Sequence, residues 1–136
     1  RLREATAGRD VKLLVGLDPD LAEAIDADGL HLPERAAEQA TRIRADRPDW
    51  ILTAAWHGLS PPPEALNALI LSPVFPAGGA SAAKPVLGVA AFEQNVKAAR
   101  LPVYALGGVT PENAATLAHT GVCGLAAVNA IQSAFR

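Results

Sequence analysis

Two stretches near the C-terminal end of the chain carry residue types that can hold an anion without a charged side chain. Leu101–Gly108 reads LPVYALGG and runs into Thr110-Pro111-Glu112-Asn113, while Gly124–Ile131 reads GLAAVNAI. The first is an apolar run closed by two glycines and followed by a helix opener, with Thr110 as a cap and Pro111 at the first helical position. The second is another apolar run leading into a helix start. Gly107 and Gly108 let the backbone approach a ligand closely, and Val128, Asn129 and Ala130 offer N–H groups where a helix begins. Together the two loops make a cradle for a phosphate group. The competing reading of Gly107-Gly108 is a tight strand-to-helix turn that binds nothing.

Proton chemistry has one main candidate. His57 ends an apolar run in Trp56-His57-Gly58, and an imidazole at a strand end can serve as general acid or base. The alternative is a histidine that only hydrogen-bonds a loop. His31, between Leu30 and Leu32, reads as a satisfied interior histidine. His119 reads as a helix-end residue suited to the dipole. Cys123 reads as a small apolar filler, and Trp50 and Trp56, at the two ends of one run, as packing residues. Asp18 and Glu34 are oxygen donors that could bind a metal. Asp18 is better explained as a helix N-cap, and Glu34 as a first-turn carboxylate.

The elements that must position these residues follow from period and punctuation. Strands are expected at Val11–Gly16, Gly29–Leu32, Trp50–Ala55, Leu69–Leu71 and Pro102–Leu106, with a last one opening Gly124–Ile131. Between them, Asp18-Pro19-Asp20 starts a helix running to about Ile25. Ala36, Ala37, Ala40 and Ile43 form the apolar stripe of a helix from Pro33 to about Ala45, and another runs from about Ala90 to Ala99. The connection between Ala55 and Ala68 is thin, because Pro61-Pro62-Pro63 leaves only about Glu64–Asn67 for a helix. Alternation of this kind predicts an α/β fold with parallel strands, the arrangement of a TIM (β/α)8-type barrel. About six βα units are legible where a closed barrel has eight, so the first two units are expected to be lacking. Residues 1–136 read as one phosphate-binding domain.

Composition narrows the partners. Twelve basic residues against fourteen acidic ones give a net charge of −2, and with no basic cluster the pattern argues against nucleic acid. One cysteine excludes an internal disulfide framework and fits a reducing cytoplasm. No apolar run is long enough to span a bilayer, so a membrane is not an expected partner. A homo-oligomer is compatible with the sequence.

Five segments, in order and spacing, resemble the thiamine phosphate synthase family and its thiazole tautomerase (TenI-like) paralogues. They are ADGLHLPE (Ala27–Glu34), TAAWHG (Thr53–Gly58), LILSPVFP (Leu69–Pro76), LPVYALGGVTPENAATL (Leu101–Leu117) and GLAAVNAI (Gly124–Ile131). The family reads ADGVHLGQ, a strand ending in His, GPVFPT, PVVAIGGITPENA and GVAVVSAI, so the likeness covers about strands three to eight of its barrel. The resemblance implies that a hydroxymethylpyrimidine pyrophosphate, bound with Mg²⁺, loses pyrophosphate and is captured by the nitrogen of a thiazole phosphate. It places that thiazole phosphate, or a thiamine phosphate-type ligand, at Gly107, Gly108, Val128, Asn129 and Ala130, with Asn129 where the family has Ser.

The metal half of the family pattern is not matched. Gly16 and Leu17 stand where the family has an Asn-Asp pair, and Pro33-Glu34 where it has Gly-Gln before an acidic ligand. The basic residue that follows Pro-Val-Phe-Pro in the family is unmatched in Gly78–Ser81, with Lys84 a few residues late. Pro73 holds the place of the tautomerases' basic His. No cofactor is therefore expected, and Mg²⁺ only if the family chemistry is retained. Three readings follow: a synthase of thiamine biosynthesis, a non-catalytic ligand-binding or regulatory paralogue, or another isomerase or synthase on a phosphate-binding barrel.

Overall fold

The computed structural model describes residues 1–78 and 82–134, and for Ala134 the backbone only. The chain forms two compact units, Arg1–Ala55 with Pro62–Asn67, and Trp56–Pro61 with Ala68–Arg136. Each is built from parallel strands and helices, in agreement with the α/β expectation.

The first unit contains α1 (Leu2–Thr6), β1 (Leu14–Gly16), α2 (Pro19–Ala24), β2 (Gly29–Leu32), a 3-10 turn at Glu34–Ala36, α3 (Gln39–Asp46) and β3 (Ile51–Trp56), whose last residue already belongs to the second unit. β2 pairs in parallel with both neighbours, Gly29 lying opposite Leu14 on one side and Ile51 on the other. β2 has the expected bounds, but β1 is shorter than the run Val11–Gly16. Val11 is exposed, and the Leu13 N–H donates to Asp28 Oδ2 at 2.9 Å, so a side chain holds that residue before the ladder begins.

Asp18 caps α2 as expected, its Oδ1 accepting from the Leu21 N–H at 2.9 Å. α2 ends in a Schellman closure, with the Asp26 N–H donating to the Glu23 carbonyl and the Ala27 N–H to the Ala22 carbonyl. Asp26 takes the left-handed conformation, φ 52°, that glycine usually fills there. The expected helix from Pro33 to Ala45 is split into the 3-10 turn and α3, yet Ala36, Ala37, Ala40 and Ile43 are all buried. The apolar stripe survives because both helix types return to the same face every three or four residues.

The thin connection before β4 carries no helix. In its place Asn67 clamps β3, its N–H donating to the Leu52 carbonyl at 2.7 Å while its Oδ1 accepts from the Leu52 N–H at 2.8 Å. Arg44 ties the clamp to α3, donating to Asn67 Oδ1 and to the carbonyls of Ala65, Pro48 and Trp50. Trp50 is buried with the Arg47 guanidinium 5.0 Å from its ring centre. It is a packing residue, as read from the sequence.

The second unit contains β4 (Ala68–Leu71), α4 (Gly88–Ala98), β5 (Val103–Ala105), α5 (Pro111–Ala114) continued by a 3-10 turn to Leu117, β6 (Gly124–Leu125) and α6 (Asn129–Ala134). β5 runs parallel to both β4 and β6, with Leu69 opposite Val103 and Tyr104 opposite Gly124. Phe92 of α4 is fully buried, as are Leu69, Leu71, Val74 and Leu117. Each such side chain contributes roughly 1.5–3 kcal/mol by leaving water. Trp56 is also buried, and its Nε1 donates to the Ser60 carbonyl at 2.8 Å. Among the described residues no helix is long and apolar enough to cross a membrane.

Candidate functional site

The turn after β5 is fixed by its neighbours as much as by its own residues. Gly107 and Gly108 both take positive φ, 98° and 62°, which side chains with a Cβ rarely adopt. Space forbids a Cβ as well, since one on Gly107 would stand 2.7 Å from Pro73 Cα and one on Gly108 2.3 Å from the Pro76 carbonyl oxygen. The Pro-Val-Phe-Pro segment is laced to this turn, with the Val74 N–H donating to the Leu106 carbonyl and the Phe75 N–H to the Gly107 carbonyl, each at 3.0 Å. Thr110-Pro111 opens α5 as expected. Asn113 bridges back over the turn, its Oδ1 accepting from the Thr110 N–H at 2.9 Å and its Nδ2 donating to the Gly108 carbonyl at 2.8 Å. On the other side the Ala126 N–H donates to the Ala105 carbonyl at 2.8 Å, which carries β6 into the start of α6 beside the glycine turn.

All five residues singled out for an anion come together. Gly107, Gly108, Val128, Asn129 and Ala130 line one pocket of about 620 Å³ within the second unit. Ser72, Thr110 and Ser133 add hydroxyls, and Leu106, Val109 and Pro76 add apolar wall. Among the described residues lining it, none is charged. What the pocket offers an anion is therefore neutral: backbone N–H groups, hydroxyls and the Asn129 amide. Such a cradle suits a phosphate ester whose remaining body is apolar.

The other candidates lie elsewhere. His57 is half-buried, with Lys84 Nζ 3.4 Å from its Nε2, and is not among the residues lining the pocket. His31 Nδ1 lies 2.9 Å from Thr53 Oγ1, and burial pushes its pKa below the ordinary histidine range, as an interior histidine requires. His119 sits 3.9 Å from Glu93, whose carboxyl is held below its usual range by the hydrogen bond and charge of Lys97. Cys123 corrects its expectation as a filler. It is exposed, with its Sγ donating to the Val103 carbonyl at 3.4 Å.

The turns where the family would carry metal ligands do not suit Mg²⁺. Leu17 presents an aliphatic side chain, its backbone holding φ 58° and its N–H donating to the His31 carbonyl at 3.1 Å. Asp18 is committed to capping α2, and Glu34 opens the 3-10 turn. Among the described residues no three His, Cys, Asp or Glu side chains gather where a metal ion could be held. Of the stretch Gly78–Ser81 that follows Pro-Val-Phe-Pro, residues 79–81 lie outside the described residues.

Asn113 is the site residue that sequence reading passed over. It was legible only as the end of a helix opener. Its signal is a Thr-x-x-Asn spacing, in which the third helical residue reaches back to the cap as Glu or Gln does in a capping box.

Comparison with known proteins agrees with the fold and with the motifs. A thiamine-phosphate synthase of Geobacillus kaustophilus is 33% identical over 129 residues, covering 91% of this chain and 58% of that protein. One from Anoxybacillus flavithermus is 32% identical over 136 residues, covering 96% and 62%. The chain thus spans about three-fifths of the length of these relatives. Among solved structures, the thiamine phosphate pyrophosphorylase of Pyrococcus furiosus superposes with a TM-score of 0.73 at 29% identity, over 93% of this chain and 61% of that one. The family model described as thiamine monophosphate synthase matches residues 1–131, and the chain belongs to that family.

Proposed function

We propose that this chain is a thiamine phosphate synthase-like protein of thiamine biosynthesis, acting in the cytoplasm, that binds a thiazole phosphate or thiamine phosphate-type ligand. The phosphate rests on the backbone of Gly107-Gly108 and Val128–Ala130, and the organic body lies against Leu106, Val109 and Pro76. The observation that carries this reading is the convergence of both loops on one pocket whose described lining residues carry no charge. Neutral donors held by the fold need no reorganisation when the anion arrives, which is how such loops bind phosphate in βα proteins.

Calorimetric titration with thiazole phosphate and with the corresponding thiazole alcohol tests it. The phosphate is expected to bind at least about ten-fold more tightly, the worth of one charge-assisted hydrogen bond or more. Equal affinities, or none for the phosphate, would overturn it.

Within this reading the chain needs no cofactor for ligand binding. No step is assigned to Mg²⁺, because the donor set at Gly16–Asp18 and Glu34 does not suit it. His57 is the candidate proton carrier, acting from beside Lys84. A second reading, a paralogue that binds the phosphate ligand without turnover, is favoured by Leu17 and Pro73, which have no titratable group where the family places a carboxylate or a histidine. An assay with both thiamine precursors and Mg²⁺ separates the two, since only the synthase would form thiamine phosphate.

A further inference from the structure

We infer that Asn113 is a positioning residue for the phosphate cradle, acting through the Gly108 carbonyl rather than by touching the ligand. The inference rests on the phosphate-binding reading of this pocket and assigns a part of its working. Gly108, Val109 and Thr110 all line the pocket, but their N–H groups are not equivalent. The Thr110 N–H is taken by Asn113 Oδ1 at 2.9 Å. Among the described residues the N–H groups of Gly108 and Val109 donate to no protein acceptor, and both residues line the pocket. A backbone donor at a pocket wall with no partner among the described residues is available to a bound anion.

The Gly108 carbonyl and the Val109 N–H belong to one planar peptide group. The Asn113 Nδ2 that holds the carbonyl at 2.8 Å therefore also fixes the direction of the N–H at the other end. Gly108 needs this help because it lacks a Cβ to restrict its backbone. One amide thus does two things: its oxygen removes the Thr110 N–H from the donor set, and its nitrogen orients the donor next to it. An Asn is required for both, since an Asp can only accept and an Ala can do neither.

Titration of the full chain with thiazole phosphate, followed by calorimetry and by amide NMR, tests the inference. Asn113→Asp keeps the acceptor for Thr110 and hence the helix start, but loses the donor to Gly108. Asn113→Ala removes both without adding charge. Each is expected to weaken the phosphate ligand about ten-fold. In Asn113→Asp the thermal midpoint stays near that of the unaltered chain, while the Gly108 and Val109 amide resonances move even without ligand. If either folded variant binds as tightly as the unaltered chain, Asn113 does not position the cradle and the inference is overturned. If the unaltered chain itself fails to bind thiazole phosphate, the phosphate-binding reading falls first, and that result is distinct from the former.

Discussion

The α-carbon of Gly107 faces Pro73 so closely that a Cβ placed on it would stand 2.7 Å from that proline's Cα. The glycine turn and the Pro-Val-Phe-Pro segment are thereby one structure, and a side chain at the turn must push them apart. Gly107→Ala is expected to lower stability by about 1–3 kcal/mol, from left-handed backbone and contact together, and to weaken thiazole phosphate binding at the same time. Urea unfolding and calorimetry on the same preparation check both.

Leu17 holds a left-handed backbone just after β1, with φ 58° and the residue 38% exposed. A leucine there carries a steric cost that Asn or Gly largely avoids, and its partial exposure limits the burial lost on removing it. Leu17→Asn and Leu17→Gly are each expected to raise unfolding stability by roughly 0.5–1 kcal/mol. A shift of the urea midpoint to lower concentration in both would contradict this.

Much of this was legible in the sequence, because period and punctuation are local. Asp18-Pro19 announced its cap and helix, the spacing of Ala36, Ala37, Ala40 and Ile43 announced its buried face, and the glycine pair with Thr110-Pro111 announced the turn. What was not legible depends on residues distant in the chain. Val11 has a strand composition, yet Asp28 takes the neighbouring Leu13 N–H and the ladder starts later. Nothing local in the sequence ties Arg44 to Ala65 and Asn67, and only the fold brings them together. Cys123 reads as buried because cysteines usually are, and the fold leaves it exposed.

Acid should act on the first unit through two groups. The Asp28 carboxyl is held below its ordinary range by the Leu13 N–H, with Lys12 and Arg3 assisting. Its contribution is fully present above the unfolded carboxylate range and is lost as pH falls through the lowered value. Burial lowers the His31 pKa, so the folded state resists protonation there. Stability then declines as pH falls below the ordinary histidine range, because the unfolded chain takes up the proton first. His31→Gln is expected to flatten the slope just below neutrality, and Asp28→Asn the slope in the carboxylate range, both read from unfolding midpoints against pH.

His57 lies beside Lys84 and outside the pocket lining. His57→Asn is therefore expected to leave the affinity for thiazole phosphate within about two-fold, while lowering any turnover by the 10²–10⁴-fold, roughly, that general acid–base catalysis contributes. Parallel binding and turnover assays check it, and an equal loss in both would place His57 on the ligand instead.

In the proposed function, uncharged backbone at Gly107-Gly108 and Val128–Ala130 holds the phosphate without a metal. The most direct measurement is the Kd for thiazole phosphate with EDTA and with Mg²⁺, in the unaltered chain, Gly108→Val and Glu34→Ala. The same Kd is expected in both buffers, with a loss of about ten-fold or more in Gly108→Val, whose Cβ would meet the Pro76 carbonyl, and no change in Glu34→Ala. Binding that requires Mg²⁺ and disappears in Glu34→Ala would contradict it.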